Sequence, residues 1–137
     1  MEKKQKKKIG KFGDIITFKT SDKRILNYQG YRRDIPARWA VHERIGKKPK
    51  AEFLGIGQEQ IVFNIELDAT LGVKPWKSMH NLRKATAKGR ACTLVIGKHK
   101  VGKRKWYISK MSEMHNIVLQ GGEILNASVE LTLEEYL

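Results

Sequence analysis

Two groups of residues in this chain have side chains suited to catalysis or metal binding. Glu66 and Asp68 alternate along one predicted strand, so their carboxylates share a face and could work as an acid and a base. A pair of solvated positions on an outer strand face is the simpler interpretation. The second group is four histidines far apart in the sequence: His42, His80, His99 and His115. None stands at metal-ligand spacing from another ligand, so we predict no metal, no cofactor and no catalytic residue.

The sequence contains no complete phosphate-binding or nucleophile motif. Gly55-Ile56-Gly57 looks like the start of a dinucleotide loop. The residues after it form a predicted strand instead of the helix whose N-terminus would bind the phosphates. No serine stands in a Gly-x-Ser-x-Gly context. We therefore predict that the protein is not an enzyme.

The segment 95–108, VIGKHKVGKRKWYI, concentrates positive charge ahead of two aromatic residues. Residues 98–105, which we name the finger, connect two predicted strands. Cations that track phosphates beside rings that stack on bases are typical of nucleic-acid-binding surfaces. A β-barrel nucleic-acid-binding module that uses this basic hairpin is therefore one functional hypothesis. The polar residues of the finger are Lys98, His99, Lys100, Lys103, Arg104 and Lys105.

The positions of the three tryptophans weaken that hypothesis. Trp39 shares a predicted strand face with Val41, and Trp76 lies on the apolar stripe of a predicted helix. Trp106 is in phase with Ile108 on a predicted strand. We therefore expect all three rings to point into the core, which leaves few rings free to stack on bases.

The net charge of +14 is distributed unevenly along the chain. Residues 1–50 contain 16 lysines and arginines against five acidic residues, a net of +11. Residues 113–137 contain five acidic residues and neither lysine nor arginine, a net of −5. A polyanion binder has little use for an acidic end, whereas a protein that docks on copies of itself uses both signs. The distribution therefore favours protein partners.

Turn residues and apolar periodicity divide the chain into strands and one helix. Pro75 at a first helical position and Gly89 at a C-terminal cap enclose apolar residues spaced by three or four, which predicts a helix. Gly121-Gly122 predicts a tight hairpin turn, and residues 28–36, which show no period, an exposed loop. Alternation predicts strands at 13–19, 24–28, 37–45, 60–68, 91–97, 105–112, 116–120 and 125–134.

This order of elements excludes a doubly wound parallel sheet, which needs alternating helices. We predict a mainly β (α+β) fold: an antiparallel β-sandwich or partly closed barrel with one flanking α-helix. We expect residues 9–137 to form one domain and the lysine-rich residues 1–8 to form a disordered basic tail. The single cysteine, Cys92, is expected in the core. No stretch of about 18 apolar residues occurs, and the start lacks the apolar run of a secretory signal, so the cytosol is the expected compartment.

From Phe12 onward the sequence resembles the tail protein U family, gpU, of contractile-tailed temperate phages and related phage-derived bacteriocins. The resemblance extends over about nine tenths of the chain and leaves out the basic tail. It is carried by residues 12–15 (FGDI), 37–43 (ARWAVHE), 48–49 (KP), 53–57 (FLGIG), 67–73 (LDATLGV), Pro75, 94–97 (LVIG), 101–103 (VGK), Trp106 and 129–136 (VELTLEEY).

The resemblance implies a structural subunit of a phage tail, essential to tail assembly and without enzymatic activity. By analogy with other inner-tail proteins, it implies a place in the axial stack between the hub and the tail tube, beside a LysM-type tail protein. Tube-type subunits are commonly β-sandwiches or barrels with a flanking helix that join side by side into rings. The implied location is the virion tail, after assembly in the host cytoplasm.

In such a ring we expect the charged residues to form protein–protein contacts. Stacked rings place one face of a subunit against the opposite face of the next. A basic finger on one face and an acidic terminal strand elsewhere would fix the orientation of the neighbours. A surface lining the channel is expected to avoid dense lysine, because it would grip passing DNA. The further candidate interface residues are Lys47, Lys48, Lys50, Glu130, Glu134 and Glu135.

Overall fold

The computed structural model describes residues 7–20 and 25–137, which contain twelve strands, one 3-10 turn (Ala69–Leu71) and one helix, α1 (Pro75–Lys88). Residues 1–6 of the predicted tail and residues 21–24 of the first predicted hairpin lie outside the described residues. The strands are β1 (Lys7–Phe12), β2 (Ile16–Thr20), β3 (Ile25–Leu26), β4 (Tyr28–Asp34), β5 (Ala37–Arg44), β6 (Lys47–Ile56), β7 (Gln60–Asp68), β8 (Ala91–Cys92), β9 (Leu94–Ile96), β10 (His99–Lys100), β11 (Trp106–Val118) and β12 (Ile124–Glu135).

The described strands form three antiparallel sheets. The first has the order β10-β9-β1-β2-β3 and the second the order β4-β7-β12-β11-β8. These two curl around one core as a half-barrel, against which α1 packs. The third sheet is the hairpin β5-β6. The predicted mainly β, α+β class with one flanking helix is confirmed.

The core lies between the first two sheets and beneath α1. β7 and β12 pair from Gln60 opposite Glu134 to Asp68 opposite Asn126, so alternate residues of the two strands share a face. Cys92 is buried, as predicted. The inner face of β7 and β12 is buried at Ile61, Phe63, Ile65, Leu67, Ala127, Val129, Leu131 and Leu133.

Helix α1 begins and ends where the sequence predicts. Pro75 is its first residue, and Gly89 adopts the left-handed conformation (φ 62°), from which its backbone N–H donates to the carbonyls of the last turn. Met79, Leu82 and Ala85 are buried and hold the helix against the sheets. The helix therefore fixes the chain segment that precedes it, residues 69–74, at one end of the second sheet.

Two of the three predictions for tryptophan were wrong. Trp106 is fully buried and donates its indole N–H to the carbonyl of Val101 at 2.9 Å, as an inward orientation requires. Trp39 is 59% exposed and Trp76 is 62% exposed. Trp76 stands in the first turn of α1 but off the buried stripe of the helix, which is formed by Pro75, Met79, Leu82 and Ala85. Trp39 lies on the third sheet, whose faces are not covered by the other two.

Backbone irregularities account for two of the four remaining differences from the predicted strands, those at β4 and β11. Residues 28–34 form β4 and not a loop, because a register shift between Gln29 and Arg32, next to Gly30 (φ 63°), breaks the period of two. Two predicted strands at 105–112 and 116–120 are one strand, β11, with three register shifts. β1 begins at Lys7, inside the segment predicted as tail, and the finger contains the short strand β10.

Candidate protein interface

The hairpin of β5 and β6, residues 37–56, extends from the second sheet as an arm. Within the described chain its two strands pair only with each other. The backbone N–H of Gly57 donates to the carbonyl of Pro36 (2.9 Å) and closes the base of the arm. Gln58 ties this base to the end of β12 by donating to the carbonyl of Glu135 (3.0 Å). The arm therefore has a fixed root and an exposed body.

The two faces of the arm differ in chemistry. Trp39 lies opposite Phe53, with ring centroids 5.0 Å apart, and Val41 lies opposite Ala51. We name these four residues the donor face; all four are exposed. The other face is polar: it holds a hydrogen bond between His42 Nε2 and Glu52 Oε2 at 2.7 Å, beside Lys50 and Arg44.

An apolar groove of about 470 Å³ lies beside the start of α1. Trp76 forms one wall, where the guanidinium of Arg83 stands 5.1 Å from the centre of its ring. Arg83 donates two hydrogen bonds to the carboxylate of Glu113, at 2.6 and 2.8 Å. These hydrogen bonds raise the pKa of the Arg83 guanidinium above its ordinary value. The other walls come from the segment between β7 and α1 and from the segment between β11 and β12, with the first residue of α1 and the first two of β12: Ala69, Val73, Lys74, Pro75, Leu119, Gly122, Glu123, Ile124 and Leu125. We name this site the groove.

The arm and the groove lie at opposite ends of the second sheet. The arm rejoins the sheet just before Gln60, which pairs with Glu134. The groove begins at Ala69, just after Asp68, which pairs with Asn126. The nine residues of β7 separate the two ends by about 30 Å at roughly 3.3 Å per residue. One molecule therefore presents an apolar hairpin at one end and an apolar groove at the other.

The solvent-facing side of β7 and β12, which we name the outer face, is polar and acidic. Along these two fully described strands it carries neither lysine nor arginine. The side-chain amide of Asn126 donates to Glu66 (3.0 Å) and Asp68 (3.2 Å). Hydrogen bonds from the hydroxyl and backbone N–H of Thr70 lower the pKa of Asp68, so this carboxylate stays ionised. The outer face consists of Gln60, Val62, Asn64, Glu66, Asp68, Asn126, Ser128, Glu130, Thr132 and Glu134.

A sequence model of the family described as Phage P2 GpU matches residues 16–137, a span that includes the arm, the groove and the outer face. The chain belongs to the phage P2 GpU family. The resemblance found in the sequence is thereby confirmed. GpU proteins are structural proteins of phage tails, and the family is not one known for catalysis. No curated protein matches this GpU chain.

The basic residues predicted to form the GpU interface are exposed on two separate elements. Lys47, Lys48 and Lys50 lie on β6 of the arm. The finger lies on a hairpin at the edge of the first sheet, where the backbone N–H of Val101 donates to the carbonyl of Leu94 (2.8 Å). All six polar residues of the finger are exposed. The finger is therefore anchored at buried Val101 and carries exposed cationic side chains before and after that residue.

The acidic candidates of this GpU chain do not form a separate face opposite the finger. Glu130 is exposed on the outer face. Glu134 and Glu135 lie at the end of β12, beside the end of the finger, because Glu135 pairs with Trp106. The expected separation of a basic finger from the acidic strand is therefore wrong for these two residues, and the reason is the antiparallel pairing of β11 with β12.

The structure gives the reactive side chains of this GpU chain structural roles. Glu66 and Asp68 share a face, as predicted, and are joined by the amide of Asn126 on an open surface. In the described part of the chain no three histidine, cysteine or acidic residues come together to hold a metal ion. No described helix has the length and apolar character needed to cross a bilayer.

Sequence reasoning missed the donor face and the groove of this GpU chain. Alternation correctly placed Trp39 and Val41 on one face, but it assigned that face to the core. One available signal was Pro49 inside β6, since proline is confined to edge strands, bulges and strand starts. The groove had no comparable signal, because its walls come from separate turns that meet only in the folded chain.

Proposed function

We propose that this GpU chain is a subunit of the axial inner-tail stack of a contractile phage tail or phage-tail-like particle, between the hub and the tail tube. Copies of the chain form a ring in this stack, and the ring is needed for tail assembly. The partners are further copies, the hub, a LysM-type tail protein and the tail tube. The location is the virion tail, reached after assembly in the host cytoplasm.

The exposed arm is the observation that carries the proposal. Two-stranded hairpins are marginally stable alone in water, and contiguous exposed apolar patches mark interaction sites. The donor face presents two aromatic rings and two aliphatic side chains that no other described residue covers. Because the chain belongs to a family of structural tail proteins, neighbouring tail subunits are the partners that would cover the donor face.

The outer face supports a channel-lining side for such a ring. Its four acidic residues outnumber the two cations that the neighbouring strands place beside it, Arg32 opposite Val62 and Lys110 opposite Thr132, in a chain of net charge +14. A cationic wall would hold DNA by counterion release, whereas an anionic wall lets it pass. In this assignment, the variant Glu66→Lys/Glu130→Lys gains salt-dependent DNA binding in a mobility shift. The same change of charge on the arm, in Glu43→Lys/Glu52→Lys, gives a smaller gain. Equal gains in DNA binding by the two variants would contradict the assignment of the outer face to the channel.

Removal of the chain from a phage tests the main proposal. We expect a phage that lacks it to produce no complete tails in electron micrographs and no plaques, and a plasmid copy to restore both. Density for the chain between the hub and the tube in intact particles would locate it. Normal tails without the chain, or density at another tier of the particle, would contradict the proposal.

The exposed cations of the finger favour one second candidate, a nucleic-acid-binding module. Lys103, Arg104 and Lys105 are exposed together, but the adjacent ring of Trp106 is buried and not available to stack on bases. Mobility shifts of the wild-type chain over a salt series separate the two functions. Tight binding with a steep salt slope, lost in Lys103→Ala/Arg104→Ala/Lys105→Ala, would favour the second candidate.

A further inference from the structure

We propose that the donor face of the arm packs into the groove of a second copy of this chain, in a head-to-tail contact. The inference rests on the proposed function, because it identifies the surfaces through which copies join. In this contact the arm of one copy inserts into the groove of the next copy. Arms do not contact arms, and grooves do not contact grooves.

The arm has the form of an inserting element. Its donor face is apolar, and its back is polar, with the hydrogen bond of His42 and Glu52 at 2.7 Å. Its base is held by three hydrogen bonds: from Gly57 to Pro36, from Gln58 to Glu135 and from Gln58 to Tyr107 (3.3 Å). A hairpin held in this way has already lost much of its conformational freedom, so insertion costs little further entropy.

The groove has the form of a receiving site for apolar side chains. Trp76 and Leu119 on its walls are large and exposed, like Trp39 and Phe53 on the arm. Its volume of about 470 Å³ is in the range of sites that enclose a few side chains. The contact of Arg83 with Trp76 holds one wall in place. Aromatic residues on both sides match the usual composition of the centre of a protein interface.

The position of the two surfaces points to a second copy as the occupant. One chain cannot place its own arm in its own groove, since the second sheet lies between them. Two chains can, and the same contact then repeats with a third chain, which is how a heterologous contact makes a ring.

The charges of the arm and of the groove end of the molecule are complementary. The arm carries five cationic residues against Glu43 and Glu52, a net of +3. The groove itself contains one lysine and one glutamate, Lys74 and Glu123, whose charges balance. The outer face beside it adds two carboxylates, Glu66 and Asp68, and Asp68 directly precedes the first residue of the groove wall. Opposite charges at the edge of an apolar contact set its orientation. The cations of the arm are Arg38, Arg44, Lys47, Lys48 and Lys50.

A mixing experiment with two variants of the full chain tests the contact. Trp39→Ser removes the donor side chain, and Leu119→Ser removes one groove wall without changing the backbone hydrogen bonds of its turn. In sedimentation velocity we expect the wild type to self-associate and each variant alone to be at least about tenfold weaker, as for loss of a hot-spot side chain. A mixture of the two retains one intact arm and one intact groove, so it should form a heterodimer and stop there.

Two control variants introduce the same side chain elsewhere. His42→Ser lies on the polar face of the arm, and Met114→Ser replaces an exposed apolar residue outside the groove. Both should self-associate like the wild type. Self-association of Leu119→Ser alone would indicate arm-to-arm contact, and self-association of Trp39→Ser alone would indicate contact without the arm. Either result, or a mixture without heterodimers, overturns the inference.

If the wild type is monomeric in solution, the same contact is tested in assembled particles. The variant Val41→Cys/Leu119→Cys should form disulfides between chains there, whereas each single variant should not. Absence of the disulfide overturns the contact. Failure of the contact is distinguishable from failure of the proposed function. If tail assembly requires the chain but tolerates both Trp39→Ser and Leu119→Ser, the proposed function holds and the contact is excluded.

Discussion

The pair β7–β12 and the arm are both antiparallel pairs with one apolar face, yet they differ in what covers that face. The apolar side of β7 and β12 is buried against the first sheet and α1. The apolar side of the arm is exposed at Trp39 and Phe53. The local pattern of the two regions is the same, so burial is decided by the elements that lie above each pair.

This difference teaches what an alternating pattern reports. It shows that two faces of a strand pair meet different surroundings. It does not show whether the surroundings of the apolar face belong to the same chain. In a structural protein of a phage tail they need not, and the arm is then a part of an interface whose other part is supplied by a neighbouring molecule.

Truncating one aromatic residue in each region gives the largest expected contrast. Phe63→Ala should lower the free energy of unfolding by about 3–5 kcal/mol, because it leaves a cavity in the core. Trp39→Ala should change it by less than about 0.5 kcal/mol, because its side chain is exposed in the free chain. Urea unfolding of both variants, followed by circular dichroism, measures the two values.

The comparison breaks if Trp39→Ala destabilises the isolated chain as much as Phe63→Ala does. The arm would then contribute to the core of its own chain, and its apolar face would need no partner. A small effect on stability together with a large effect on tail assembly sharpens the comparison instead.

Much of the fold could be predicted from local signals, and the interface could not. Pro75 and Gly89 fixed the helix bounds, because caps depend on the residues at each end. Strand β7 matched its predicted bounds. Strand β4 was missed, because the irregularity near Gly30 removes the period on which the prediction depends. The helix caps and the strand periods are local properties of the chain, and both the correct and the wrong predictions depended on them.

The candidate interface depends on long-range geometry. Glu135 and the end of the finger adjoin only because β11 and β12 pair, and the groove exists only because two turns meet. The charges of Lys47 and Lys48 were visible in the sequence, but the adjacent donor face was assigned to the core. Tertiary position therefore decides which of the predicted residues share a surface.

The finger and the adjacent Trp106 show the same contrast within a few residues, between a buried and an exposed side chain. Trp106→Phe keeps the ring in the core but removes the hydrogen bond to the carbonyl of Val101. We expect a loss of about 1–3 kcal/mol in the free energy of unfolding, since a buried acceptor loses its donor. Lys103→Ala removes an exposed side chain of the finger and should be near neutral. Equal effects of the two variants in urea unfolding would contradict this contrast.

The smallest expected effect is a pH dependence at Asp68, where the buried strand β7 passes into the groove end. Hydrogen bonds from Thr70 lower the pKa of this carboxyl in the folded chain. Its contribution to stability is therefore present above the unfolded pKa, about 3.9, and is lost as the pH falls through the folded pKa. Asp68→Asn should reduce the loss of Tm between pH 5 and pH 2, because the amide does not titrate. Because Asp68 is solvent-accessible, the difference in Tm should be small. Coincident curves of Tm against pH for the variant and the wild type would show that the hydrogen bonds between Asp68 and Thr70 do not stabilise the end of β7.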